Sequence, residues 1–505
     1  MTVACHLSVF FLAILLLAVR PATLQARRAV GRRGAEESIE SIETIIKTGA
    51  VPHEDSDEWG EDEDEDEDEG EASPHGEGGK VCEAVLSNEA CNVEDGANSM
   101  PFIERSSGST SDGEIQILAG PVELSVRDRG LVTMDVSAAS ILGEYQAWHS
   151  AEETKHFAGE TLGYVTPWHG KGYDFARTFR SKLTYVSPVW YQLRSRGDSG
   201  MSSGAGSPSF HLAGGHDFDE AWVADVRNGG AGRTEPGDVA GASVTRIVPR
   251  VVLELDGRSR LSQADLREMA DLVVTEAILR GYDGFVLDIP LSDGIEEFVS
   301  GIKSAGTRRG KELLLIQSVR PGMTLSPRLL EQLVPNLHRF SLMTYDYRPS
   351  TAEMHTDMAG GGGVPNSPLS WVRACVEAFA PGGAGSKIRS MTLIGIPFYG
   401  YDNGRAITSN DFVSLLEATQ KQQKVERRSP HRDGVEFLSD GLEWHPLWRE
   451  HVISYRGEQE DKDKHVATFP TLAFIQERLD LARDLRVGVA FWELGQGMPF
   501  WFDLF

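Results

Sequence analysis

Cysteine is scarce in this 505-residue chain, with four residues at Cys5, Cys82, Cys91 and Cys375. No zinc-type Cys/His spacing occurs, and no pattern calls for a metal or a cofactor. Basic charge is also in short supply: 49 Lys and Arg stand against 76 Asp and Glu, a net charge of −27. Nucleic-acid binding needs a basic face to displace counterions, and the balance argues against it. The acidic excess is local, since Glu54 to Glu71 holds 14 Asp or Glu and no Lys or Arg. Long apolar runs are nearly absent. The run from Leu7 to Val19 is shorter than the about 20 residues of a membrane span. With Arg20 behind it and small residues up to Ala26, it reads as a secretory signal peptide over residues 1–26, the alternative being an uncleaved anchor. No second stretch of spanning length follows, so no membrane span is expected after signal cleavage. The expected location is the secretory pathway, extracellular or in a lysosomal or other lumen.

From residue 27 to 126 the chain is poor in aromatics and rich in Gly, Ser, Glu and Asp. Such a segment buries too little apolar surface to offset its ordering entropy, and is expected to be disordered, with a short helix near Ile39 to Ile46 as an option. Cys82 and Cys91 are close enough in sequence to form a small disulfide loop in an oxidising compartment. The acidic tract reads as solvated charge; weak calcium binding or a basic protein partner is the sharper alternative.

From residue 127 to the end the pattern changes. Short β-branched or aromatic runs occur at Leu162 to Trp168, Leu183 to Leu193, Thr245 to Leu255, Gly284 to Ile289, Leu313 to Val319, Phe340 to Tyr345, Thr392 to Tyr399 and Val487 to Trp492. Several are apolar nearly throughout, as strands covered on both faces are. Helix-spaced segments lie between them, such as Gln263 to Leu279, Ile295 to Ser304, Pro368 to Phe379 and Thr471 to Asp484. Eight strand–helix repeats predict an α/β fold, a (β/α)₈ TIM barrel, over residues 127–505. An open doubly wound sheet is the alternative, but no Gly-rich phosphate turn follows any strand. Cys375 falls on a helix-spaced segment and is expected to be a buried core thiol. Arg196 to Ser209 and Asn228 to Gly241 read as expanded loops. Tyr401 to Phe469 is long enough for a small subdomain over the barrel mouth.

In such a barrel the C-terminal ends of the strands build the site. Side chains alternate along a strand, so Val286, Asp288 and Pro290 share one facing and Phe285, Leu287 and Ile289 the other. The stretch Tyr282-Asp283-Gly284-Phe285-Val286-Leu287-Asp288-Ile289-Pro290 resembles the signature strand of glycoside hydrolase family 18, the chitinases, written Asp-Gly-x-Asp-x-Asp-x-Glu. Asp283, Gly284 and Asp288 match. Val286 stands at the second Asp and Pro290 at the catalytic Glu. Phe340 to Tyr347 resembles the family's Met-x-Tyr-Asp strand end, Gly395 to Gly400 its seventh strand, and Val489 to Glu493 its eighth. Phe157-Ala158-Gly159, Leu162 to Trp168, Ser187 to Trp190, Pro368 to Cys375 and Trp492 to Gly497 bring the chain closer to one branch of that family, which is likewise expected to lack the acid.

The resemblance implies that Tyr345 and Asp346 contact the acetamido group of a sugar and that Trp492 floors the central subsite. Trp168, Tyr347 and Tyr399 offer further flat faces for a pyranose. Asp283 reads as structural, and Asp288 as a buried relic more than a working acid. Family 18 enzymes use the acetamido oxygen of the substrate as nucleophile and a carboxylic acid to protonate the leaving oxygen. Proline has no proton to give, and Val286 removes a carboxylate that would tune the acid. The expectation is a protein that binds chitin-type or related oligosaccharides without hydrolysing them. Two alternatives stay open. One is a glycosidase with a displaced acid at Asp288, Asp346 or Glu493; the other is an interaction scaffold whose acidic tract meets a protein receptor.

Overall fold

The eight β-branched runs form eight parallel strands in the computed structural model, which describes residues 115–505 except 152, 196–208, 229–243, 256–260, 291–293, 324, 350–362, 427–435 and 457–463. The expected signal peptide, the acidic segment, the helix near residue 40 and the pair Cys82 and Cys91 lie outside the described residues, as do most of the two Gly-rich inserts.

The strands are β1 (Thr161–Val165), β2 (Tyr185–Pro188 with Tyr191–Ser195), β3 (Arg246–Ile247 with Arg250–Glu254), β4 (Gly284–Asp288), β5 (Leu314–Val319), β6 (Arg339–Leu342), β7 (Thr392–Pro397) and β8 (Gly488–Trp492). Each pairs in parallel with the next, and β8 pairs with β1. Strands β2 and β3 pair twice, Tyr185 opposite Arg246 and Tyr191 opposite Val251, with a break between. Pro249 sits in that break and has no N–H to give to a ladder. Because both halves of the pair are made, the ring closes: this is a (β/α)₈ barrel.

Helices α1 (Gly170–Thr178), α2 (Glu220–Asn228), α3 (Gln263–Arg280), α4 (Ile295–Arg308), α5 (Pro327–Leu333), α6 (Leu369–Phe379) and α7 (Leu472–Leu485) follow β1 to β7 in turn. Their limits follow local chemistry. Ser262 and Asp265 form a capping box at the start of α3, and Gly281 closes it at φ 70°. Alternation divides the strand residues as expected. Leu162, Tyr164, Tyr185, Val248, Val286, Ile316, Leu393 and Ala490 fill the barrel interior. Phe285, Leu287 and Ile289 pack outward with the helices. Gly284 is required there, since a Cβ would meet the Leu314 carbonyl oxygen at 1.8 Å.

Two expectations need correction. The folded unit starts before residue 127: Ala119–Val122 pairs in parallel with Gln146–His149, and Val126 is fully buried. Its low apolar content hid the strand, whose own side chains are exposed or half-buried and which is held by its backbone pairing. Cys375 is half-buried on α6 instead of fully buried, because its helix is covered on one face only.

The segment between β7 and α7 forms a five-stranded antiparallel sheet. Its strands are Gly400–Asp402, Arg405–Ile407, Glu436–His445, Glu450–Arg456 and Lys464–Phe469, with the helix Ser409–Glu426 among them. Among the described residues no helix is long and apolar enough to cross a membrane.

Candidate functional site

The strand ends β4, β6, β7 and β8 bring most of the expected residues to one place. Trp492 ends β8, with its ring 6.1 Å from that of Tyr345 at an interplanar angle of 30°. Tyr345 follows β6 and lies 6.3 Å from Tyr399, which follows β7. Tyr399 lies 5.7 Å from Tyr401, and Tyr164 inside the barrel lies 5.0 Å from Trp492. The rings form one continuous chain, Tyr164, Trp492, Tyr345, Tyr399, Tyr401. Gly395 makes room for it: a Cβ on that β7 residue would stand 2.7 Å from Cε1 of Tyr345.

Asp346 anchors the polar side. The hydroxyls of Tyr399 and Tyr401 both donate to its Oδ1. Among the described residues no donor reaches Oδ2. Its backbone is left-handed at φ 60°, a conformation that Asp tolerates better than most residues. Burial, and then the Asp346 charge, push the Tyr399 and Tyr401 hydroxyls well above the usual phenol range, so both stay protonated donors. Burial does the same to Tyr345, and holds Tyr164 up at about 12.

Asp288 lies at the end of β4, where its carboxylate accepts from the guanidinium of Arg250. Both side chains are largely buried, at 9% and 7% exposure. The Arg250 guanidinium carbon lies 5.4 Å from the Trp492 ring centroid, within cation–π range. Pro290 is exposed just past this strand end.

The other expected residues stand apart. Asp283 is at the opposite, N-terminal end of β4, where its Oδ2 accepts from the Ile247 N–H at 2.8 Å and from Arg227 at 2.6 Å. It ties β3 to β4 and is remote from the strand ends that carry Trp492. Trp168, after β1, is 42% exposed. Tyr347 packs its ring at 5.2 Å against Trp371 of α6. Glu493 follows Trp492 but is 2% exposed. Thr166 donates to its Oε2, and His169 Nδ1 lies 3.3 Å from the same oxygen.

Sequence reasoning missed Arg250, Tyr401, Tyr164, Asn366 and Glu450. Two of these had a signal. Arg250 is a lone charge within the apolar run Val248 to Leu253, and Tyr401 is two residues past Tyr399 in extended chain. Among the described residues no cluster of His, Cys, Asp and Glu is arranged to hold a metal ion.

No family model matches the sequence. Among solved structures, the chain is similar to the spore cortex-lytic enzyme SleL of Bacillus megaterium QM B1551, at 16% identity and a TM-score of 0.45 over 69% of this chain and 74% of that one. It is also similar to a chitinase from Chromobacterium violaceum ATCC 12472, at 16% identity and a TM-score of 0.41 over 69% of this chain and 98% of that one. A family 18 chitinase from Cycas revoluta, in complex with allosamidin, matches at 13% identity and a TM-score of 0.43 over 68% of this chain and 97% of that one. The barrel itself is read from the strand pairing above.

Proposed function

We propose that this barrel binds chitin-type or related oligosaccharides at its mouth and does not hydrolyse them. One observation carries the reading: the ring chain from Tyr164 to Tyr401 is intact, while each carboxylate near it is already engaged as an acceptor. Asp288 accepts from Arg250, Asp346 accepts from two tyrosines, and Glu493 is buried against Thr166. A general acid must present a proton within hydrogen-bond reach of the leaving oxygen. Pro290, at the position where the resemblance places the acid, has none. Aromatic faces supply apolar area for a pyranose, and Asp346 Oδ2, which no donor reaches among the described residues, can accept from a sugar N–H or hydroxyl. In this reading the protein sits with the chitinase domain-containing branch of family 18. The apolar run at Leu7 to Val19 supports its passage through the secretory pathway, to the outside or to a lumen.

The test is calorimetry of the full chain with the hexamer of N-acetylglucosamine. Binding is expected, and Trp492→Ala should weaken it about tenfold or more, as loss of one large stacking face does. Absence of binding to this hexamer and to a glycan panel would overturn the proposal. So would turnover of a fluorogenic chitooligosaccharide that disappears on one carboxylate-to-amide change.

A further inference from the structure

We infer that Asn366, fixed by Glu450 of the inserted sheet, is the positioning residue that sets Asp346 for its ligand. The inference rests on the binding function proposed above. Asp346 has a left-handed backbone without being glycine, a conformation that Asp tolerates and that hydrogen bonds to its neighbours fix. Asn366 supplies such bonds from its side-chain amide and its carbonyl. Its Oδ1 accepts the Asp346 N–H at 3.0 Å, its Nδ2 donates to the Tyr399 carbonyl at 2.9 Å, and its own carbonyl accepts the Tyr347 N–H at 3.0 Å. One side chain thereby clips the loop after β6 to the end of β7, the two segments that carry Tyr345, Asp346 and Tyr399. Asn366 is 2% exposed, so it acts through these neighbours and not on a ligand directly.

Asn366 is held in turn from the inserted sheet. Glu450, on the strand Glu450–Arg456, accepts the Asn366 N–H at 3.1 Å and the Ser367 N–H at 2.7 Å. Arg478 of α7 stands 3.8 Å from Glu450 and is fully buried. It also donates to the Ser367 carbonyl. The Ser367 hydroxyl donates to the Thr344 carbonyl at 2.6 Å, which closes the network back onto the β6 end. The same sheet supplies Tyr401, the second hydroxyl on Asp346. The inserted sheet is therefore part of the site, and its seating on the barrel sets where the Asp346 carboxylate points.

The experiment compares the full-length wild type with Asn366→Ala, Glu450→Gln, Asp346→Ala and the double variant Asn366→Ala/Asp346→Ala. Melting temperature confirms folding, and the hexamer of N-acetylglucosamine is the calorimetric probe. Asn366→Ala should bind roughly tenfold more weakly, the size of one lost buried hydrogen bond, and should lose most of that effect in the Asp346→Ala background, because its main route to the ligand is the Asp346 carboxylate. A second readout needs no ligand: with 13Cζ-labelled tyrosine, the Tyr399 and Tyr401 resonances should shift in Asn366→Ala. Wild-type affinity with unmoved tyrosine resonances, or a loss that adds in full to that of Asp346→Ala, would overturn the inference. If the wild type binds neither the hexamer nor any member of the glycan panel, the proposed function fails by itself and the tyrosine resonances alone decide the positioning role. If Glu450→Gln does not fold, Asn366→Ala carries the decision.

Discussion

Asp288→Leu should be among the most destabilising single changes at the barrel mouth. The Arg250–Asp288 pair is about nine-tenths buried on both sides. Removing the carboxylate strands a guanidinium that cannot give up its proton, and breaking a buried pair in this way costs about 3–5 kcal/mol. Arg250→Met leaves a carboxyl that can take a proton and become neutral, so a smaller cost of about 1–3 kcal/mol follows. The double variant Arg250→Met/Asp288→Leu should return to within about 2 kcal/mol of the wild type, because apolar pairs of similar volume commonly replace buried ion pairs. Arg250 favours that outcome, since its Nε is buried with no hydrogen-bond partner. Urea unfolding followed by tryptophan fluorescence gives all four free energies of the cycle. A double variant as unstable as the sum of the two singles would refute the reasoning, as would an Asp288→Leu cost below about 1 kcal/mol. The double variant should also bind sugar more weakly, because Trp492 loses the cation 5.4 Å from its ring.

His451 should make the fold acid-sensitive. Its Nδ1 meets the Thr471 hydroxyl at 2.8 Å and its Nε2 the Met134 carbonyl at 3.0 Å, and burial lowers its pKa to about 4. The unfolded imidazole near 6.5 binds the proton that the folded one refuses, so stability present above pH 6.5 is lost as pH falls toward 4, about 2 kcal/mol of it by pH 5. His451→Gln should show a flatter dependence of melting temperature on pH between 7 and 5; an unchanged slope would contradict the assignment. Pro290→Glu alone should give no measurable hydrolysis of a fluorogenic chitooligosaccharide, because Val286 remains and Asp288 is held by Arg250. Turnover above background would show that a proton donor at residue 290 is enough for hydrolysis and would refute this. Burial pushes the Cys375 thiol up to about 11, so a thiolate-selective reagent at neutral pH should label the native protein far more slowly than the urea-unfolded chain; equal rates would refute this.

The barrel was legible because its signal is repeated. Eight apolar runs separated by helix-spaced segments leave few alternatives, and the observed strands fall inside the expected runs or within one or two residues of them. The ring-bearing strand ends were legible through short motifs at Tyr345 and Trp492. Pairings made across distant sequence were not. Nothing near Asn366 marks it as the partner of Asp346, and Glu450 reaches it across 84 residues of chain. Arg250 and Asp288 sit on adjacent strands 38 residues apart, and only the barrel register makes them neighbours. Glu493 reads in sequence as a carboxylate beside Trp492, yet strand alternation and its left-handed backbone at φ 67° place it behind the platform.

Arg250 and Pro290 bear on the proposed reading together. A barrel mouth that uses acid chemistry needs a carboxyl whose proton can be given away, and so an interior that leaves one carboxyl unpaired. Here the inward row of β4 carries Val286 and one carboxylate, Asp288, and Arg250 matches that carboxylate. The interior beneath Trp492 is thus neutral as a unit and has a cation under its principal ring. In the proposed reading such a floor holds a bound sugar against Trp492 and has no proton to deliver to it. Asp346 is the exception that fits the same logic. Two tyrosines and Asn366 hold it as an acceptor, with one oxygen that no donor reaches among the described residues, which suits recognition of a donor on the ligand. Adding a carboxylate at residue 290 would place a second negative charge two residues from Asp288, whose own carboxylate Arg250 already holds.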